Sequence, residues 1–234
     1  MAASESKAPA SAKTKSGKKA RRSLLGKKIG MTQVYNEAGR RVPVTVIQAG
    51  PCTVFQVKTA EQDGYEAVQL GFDDTAKKKK KPQQARLDKL GLAAKRHVRE
   101  VPFIDPECIV AVEGKEGVVP GVQVGVAVFK DVKQVDVRGV TKGRGFQGVI
   151  RRYRFNAGPK SHGTKNIREP KSTGMHTDPG RVHKGKKMPG HMGAALRKAR
   201  NLDVVRIDEA DNLLLVKGSV PGANGGYLYI QESL

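Results

Sequence analysis

The chain has 234 residues, enough for one large domain or two small ones, and carries 44 Lys and Arg against 22 Asp and Glu, a formal charge of +22. Hydrophobic residues make up only 38%, with 27 glycines and no tryptophan, so part of the chain can build a core and part cannot. Such a charge opposes compaction unless an anionic partner neutralises it, which points to nucleic acid; no apolar run of about 20 residues is present to cross a membrane.

Residues 1–22 hold seven Lys and Arg against Glu5 and read as a disordered basic tail. The stretch lacks the apolar segment of a secretory signal, although its composition alone would also suit a transit peptide. Residues 23–137 hold 18 basic and 14 acidic residues, and residues 201–234 hold two and five, so the body is close to neutral. Residues 138–200 hold 17 basic residues against Glu169 and Asp178, a net +15. The chain therefore reads as a near-neutral body with two cationic appendages.

The body reads as β. Val42–Gln48, Thr53–Lys58, Ala67–Phe72, Ile109–Val112, Val122–Phe129, Val132–Val137, Val204–Ile207, Leu213–Val216 and Tyr227–Ile230 are short Val- and Ile-rich runs, several alternating apolar with polar residues. Gly- and Pro-containing turns separate them, as at Ala49-Gly-Pro51 and Pro221-Gly-Ala-Asn-Gly-Gly226. Many short strands favour a closed barrel or a sandwich. Three short runs after residue 200 cannot bury a core alone, so they are expected to rejoin the earlier strands, leaving 138–200 as an insertion anchored at both ends. Residues 73–100 interrupt the strands with five lysines, Lys77–Lys81, then Pro82 and a short helix over Gln83–Leu92 that stops near Gly91. The lysine run suits either a solvated surface or phosphate contact. Cys52 and Cys108 each lie inside an apolar run, without zinc-ligand spacing, and read as buried thiols.

The arm, 138–200, has 11 glycines and few apolar clusters, so it cannot bury enough surface to offset its conformational entropy; it is expected to order on its partner. Glycines at 139, 143, 145 and 148 let the backbone approach phosphates, and Lys142, Arg144, Arg151, Arg152 and Arg154 supply charge beside them. Phe146, Tyr153 and Phe155 suit stacking on unpaired bases; Phe146 and Tyr153 suit packing against the barrel equally well. Further along, Arg168, Lys171, Arg181, Lys184, Lys186, Lys187 and Arg197 extend the phosphate-binding set, with His176 and His183 able to donate to phosphates or stack.

Two enzyme-like signals need weighing beside this reading. Gly180-Arg-Val-His-Lys-Gly-Lys186 fits seven places of a phosphate-binding P-loop, but the eighth is Lys187 rather than Ser or Thr and no strand leads in. Four of the five histidines, His162, His176, His183 and His191, fall in the arm, yet none pairs at i, i+4 and no cysteine is near. A metal-dependent or nucleotide-processing enzyme stays the rival from another class, and a DNA-compacting basic protein is a third possibility.

Phe129, Asp136, Gly139, Thr141, Lys142-Gly-Arg-Gly-Phe-Gln-Gly148 and Arg152 together resemble the signature of ribosomal protein L3 of the large subunit. Leu25–Gln33 resembles that family's N-terminal strand, Pro179–Gly193 the return of its central loop, and Asn201–Arg206 with Asn212–Gly222 its closing strands. The resemblance spans about residues 23–232, and the short body is similar to bacterial members. It implies a six-stranded translation-protein-type β-barrel, mainly β, carrying a long extended basic loop and a small helical excursion. It also implies a cytoplasmic, ribosome-bound structural protein that is not an enzyme and takes no cofactor, metal or small-molecule substrate. The implied partners are 23S ribosomal RNA, bound near its 3′ end early in subunit assembly, and the neighbouring proteins L14 and L19. The loop is implied to reach toward the peptidyl-transferase centre. Some bacterial relatives carry a methylated glutamine at the loop tip within Gly-Gln-Asn-Gln-Thr-Pro-Gly; here the matching stretch is Gly174-Met-His-Thr-Asp-Pro-Gly180, without glutamine, so that modification is not expected.

Overall fold

The computed structural model describes residues 21–75, 77, 80–102, 119–170 and 172–233. In chain order its elements are β1 (Ser23–Tyr35), β2 (Arg41–Ala49), β3 (Cys52–Lys58), α1 (Ala60–Asp63), β4 (Ala67–Asp74), α2 (Lys81–Leu90), β5 (Lys95–Pro102) and β6 (Gln123–Val124). There follow β7 (Gln134–Val140), β8 (Phe146–Gln147), α3 (Val149–Tyr153), β9 (Gly190–His191), β10 (Leu196–Asp208), β11 (Leu213–Lys217) and β12 (Tyr227–Glu232).

Six strands close a barrel in the order β1-β12-β7-β10-β11-β2, all neighbours antiparallel. Closure removes the free edges that strands of this kind would otherwise present. The strands that follow the arm lie among those that precede it: β10 pairs with β7, β11 with β2, and β12 with both β1 and β7. Ile47, Leu214, Leu228, Ile230 and Phe129 are fully buried at the centre of the core.

A second sheet, β5-β4-β3-β6, packs beside the barrel and shares its core. Leu24 and Leu25 are adjacent in β1 and both wholly buried, because this part of the strand has hydrophobic neighbours on both faces. Gly26 continues it, and a side chain there would press on the Gln48 carbonyl at 2.7 Å. Cys52 donates its thiol to the Leu25 carbonyl at 3.4 Å, and burial pushes that thiol up to about 12. Tyr227 of β12 ties the sheets together. Its hydroxyl donates to Asp73 at 2.6 Å, and its ring stacks on His97 of β5 at 4.8 Å.

Three sequence expectations change. The alternating run Val122–Phe129 is a strand only at β6, then becomes a 3-10 turn over Val126–Phe129. Gly125 makes room for Asn212 Oδ1, which accepts the Val126 N–H at 3.3 Å, and the turn buries Val126, Val128 and Phe129 without a ladder. Residues 73–100 are less of an excursion than expected, since β4 runs to Asp74 and β5 starts at Lys95. The helix begins two residues early, at Lys81, with Pro82 in its first turn. It ends at Gly91, whose left-handed backbone lets its N–H reach Asp88 while Leu92 N–H reaches the Leu87 carbonyl. Ile109–Val112, Cys108 and the first 20 residues lie outside the described residues.

Replacing Ile230, wholly buried in the barrel centre, by alanine should cost about 2–5 kcal/mol, read as a lowered midpoint in urea unfolding at unchanged slope.

Candidate nucleic-acid interface

The chain leaves the barrel on β7 and returns on β10, whose ladder runs from Gln134↔Asp203 up to Val140↔Leu196. Both strands therefore continue into the range 138–200. Beyond them Thr141 N–H donates to the Ala195 carbonyl at 3.0 Å, Arg144 N–H to Met192 and Met192 N–H to Gly145, each at 2.9 Å. The pairing resumes at β8 and β9 through Phe146↔His191 and Gln147↔Gly190. The arm thus rises on a two-legged antiparallel stem. Gly193 belongs to it by necessity: its φ is +77°, and a side chain there would run into the Lys142 carbonyl.

The root is held by two buried polar contacts. Asp136 of β7 receives Lys198 Nζ at 2.5 Å and the Asn201 N–H at 2.9 Å. That second bond sits on a bulge of β10 between Ala199 and Leu202, where Asn201 takes a φ of +53°. Burial by itself would raise the Asp136 carboxyl, but the bonds from Lys198 and Asn201 outweigh it and hold the group below its ordinary range. On the other side Lys28, buried, donates to the Val220 carbonyl at 2.9 Å and to Gly222 at 3.3 Å. Burial and then the charge of Lys142 lower its pKa. Lys28 thereby pins the 220–226 turn, and a side chain at Gly222 would lie 2.9 Å from the Val140 carbonyl.

Above the root the expected binding residues divide by environment. Lys142, Arg144, Arg151, Arg154, Arg168, Arg181, Lys184, Lys186, Lys187 and Arg197 are exposed, as are His176 and His183; Lys171 lies outside the described residues. Arg152 behaves differently. It is half-buried, donates Nη1 to the Met188 carbonyl at 2.8 Å, and lies over Gly190, so its guanidinium spans the two legs. Among the described residues Arg151 reaches Gln147 Oε1 alone, at 3.3 Å.

The aromatics separate as well. Phe146 is 76% exposed and does not pack on the barrel. Tyr153 is half-buried, with Arg152 and Lys187 over its ring at 5.1 and 5.8 Å and Phe155 at 6.3 Å. A cleft of about 820 Å³ opens at the stem, lined by Lys142, Arg144, Arg152, Tyr153, His191 and Arg197. Lys142, Arg144 and Arg197, exposed around one concavity, suit the phosphates of an RNA strand, while Arg152 and Tyr153 are engaged with each other along its lining.

The P-loop-like stretch, 180–187, is turns and bends without helix, so no helix N-terminus faces a phosphate there. Among the described residues no three His, Cys, Asp or Glu side chains converge as a metal site. Within the arm's upper part the tip, Gly174–Gly180, is exposed except at the half-buried Pro179, Met175 to 83%. The stem clamp of Arg152 and the Lys28 anchor escaped the sequence reading. Only Asp136, spaced within the signature, gave a signal for the root.

The sequence model of the family described as Ribosomal protein L3 matches residues 111–214 of the chain. Two relatives, each named Large ribosomal subunit protein uL3, come from Prochlorococcus marinus strains MIT 9313 and MIT 9303. Each is 47% identical over 211 residues, covering 90% of this chain and 93% of the relative.

Two measurements check the geometry. Asp136 has a lowered folded pKa, so its stabilisation is full above the unfolded value near about 4 and is lost as pH falls through the folded value. Asp136→Asn should be less stable at neutral pH, and its unfolding free energy should vary less with pH below about 5 than that of the wild type. Arg152→Ala should speed amide exchange at Arg144 and Met192 by up to about tenfold, as loss of one charged hydrogen bond would, while the urea midpoint of the barrel stays put.

Proposed function

The chain belongs to the ribosomal protein L3 family and is a structural constituent of the large ribosomal subunit, and on that premise we propose that it is a primary binder of 23S ribosomal RNA. The body, 23–137 with 201–234, docks on folded RNA near the 3′ end. The arm, 138–200, threads between RNA helices toward the peptidyl-transferase centre and helps nucleate assembly. One observation carries this reading: a net +15 is concentrated on the arm, 138–200, whose described cations are nearly all exposed, while the body is almost neutral.

The physical account follows from that separation. RNA helices crowd together only where their phosphates are neutralised, and a thin stem with exposed Arg and Lys delivers charge without a bulky domain. Glycines along both legs keep the stem narrow. Arg144, Arg151, Arg154, Arg168, Arg181, Lys184, Lys186, Lys187, Arg197 and Lys142 contact phosphates, with Lys171 completing the set. Phe146, exposed at the outer end of the stem, stacks on an unpaired base. Arg152 is assigned a positioning role, since its guanidinium is engaged across the legs. At the tip, His176 takes the outermost polar contact, its Nδ1 3.3 Å from Thr177 Oγ1. We read the protein as binding and shaping RNA rather than catalysing a reaction, in the cytoplasm, with L14 and L19 as protein neighbours.

If six or more phosphates are engaged, affinity for 23S RNA should fall roughly a thousandfold or more between about 50 and 200 mM salt; a flat profile would overturn the electrostatic account. Deleting residues 142–190 joins Thr141 to His191 and leaves a four-residue loop before the paired Ala195, a length that hairpins accept. The deletion should keep a cooperative urea transition and lose most RNA affinity. Unfolding of the body would instead make the arm part of the core.

A further inference from the structure

Between the turn after α3, the segment leading to the tip and the returning leg lies a second cleft, of about 490 Å³. Its floor is apolar. Val149 is 1% exposed at its base, and Ile150, Phe155 and Met188 line it, with Phe155 leaving 38% of its surface open. Arg154, Lys186 and Lys187 supply cations at the same opening. The volume falls within the range of sites for small molecules, and its mixture of flat apolar surface and cations matches one nucleotide rather than a lone phosphate.

Glu169 in this cleft is the informative residue. From residue 138 to residue 200 the chain carries 17 Lys and Arg and only two acids, Glu169 and Asp178. A carboxylate repels phosphate, so on a phosphate-binding arm it opposes the general task of the surface. None of the ion pairs among the described residues uses it. What a carboxylate does accept is a pair of N–H donors. Guanine alone among the four bases presents two neighbouring donors, N1–H and N2–H, on its Watson–Crick edge. Adenine and cytosine set an acceptor beside their amino group, and uracil flanks its single N–H with two carbonyls; each would face the carboxylate with a repelling atom.

We propose that this cleft receives one unpaired guanine of the RNA. Its ring rests on Ile150, Phe155 and Met188, its N1–H and N2–H donate to Glu169, and Arg154, Lys186 and Lys187 neutralise the flanking phosphates. Tyr153 steadies the floor, its ring 6.3 Å from that of Phe155. The arm then carries one point of base recognition within a surface that otherwise reads charge. This assignment rests on the RNA-binding reading above and deepens it.

The test uses the full chain bound to its own 23S RNA, probed with kethoxal, which modifies N1 and N2 of unpaired guanines. The wild-type protein should protect one guanine that Glu169→Gln leaves reactive. Backbone protection from hydroxyl radicals should be the same for both proteins, with affinity for the variant lower by roughly fivefold to tenfold, about one base contact's worth. Phe155→Ala should lose the same protection; if it disturbs the arm, the isosteric Glu169→Gln still decides. Equal guanine protection by wild type and Glu169→Gln, or none by either with the backbone footprint intact, overturns the pocket and leaves RNA binding standing. Glu169-dependent protection of an adenine or cytosine from dimethyl sulfate overturns the guanine assignment. A wild-type protein that gives no backbone footprint removes the RNA-binding reading and the pocket with it.

Discussion

The antiparallel ladder of β7 with β10 is the constraint on which the rest depends. It closes the barrel, and the same two strands carry on past the barrel rim as the legs of the arm. A loop of this length hung from flexible ends would sample a large volume and lose much entropy on binding. Starting both legs from one hydrogen-bonded ladder, and resuming the pairing at Phe146↔His191, removes much of that freedom beforehand. The bulge at Asn201, held by Asp136, adds one residue to β10 and so sets the angle at which the returning leg leaves the barrel.

Charge is distributed along the same axis. Three cations of the root and stem are tied to the protein's own acceptors: Lys198 to Asp136, Lys28 to the carbonyls of 220 and 222, Arg152 to Met188. The described ones farther out, from Arg154 to Arg168 and from Arg181 to Lys187, are exposed and repel one another. Internal bonds therefore hold the stem while the outer arm is left for an anionic partner. Lys28 illustrates the cost of the arrangement, being buried near Lys142 without a carboxylate and losing basicity as a result.

Much of the barrel was legible because its strands are buried on one face and alternate accordingly: Val42–Gln48, Leu213–Val216 and Tyr227–Ile230 each match an observed strand within two residues. β5 was not legible. As an edge strand with, among its described side chains, only Val101 buried, it needs a backbone partner in β4 rather than an apolar pattern, and Lys95-Arg-His-Val-Arg99 reads as a charged loop. Val122–Phe129 misled for the opposite reason, since alternating valines suit a buried 3-10 turn as well as a strand when a glycine permits the bend. In the arm, glycine and charge announced the binding surface, and the signature spacing singled out Arg152 over Arg151 without showing that its guanidinium spans the legs. Their difference arises from Met188, 36 residues away in the chain.

Composition and order of residues by themselves determined that this protein is a near-neutral β body bearing a strongly cationic, glycine-rich insertion, because net charge and alternation are sums over neighbouring residues. Only the tertiary structure decided that β7 and β10 turn that insertion into a paired stem. It also decided which cations are spent on holding the stem, and that Glu169 meets Phe155 and Met188 at one cleft. Those outcomes depend on contacts between segments tens of residues apart, which the folded backbone creates and no local pattern encodes.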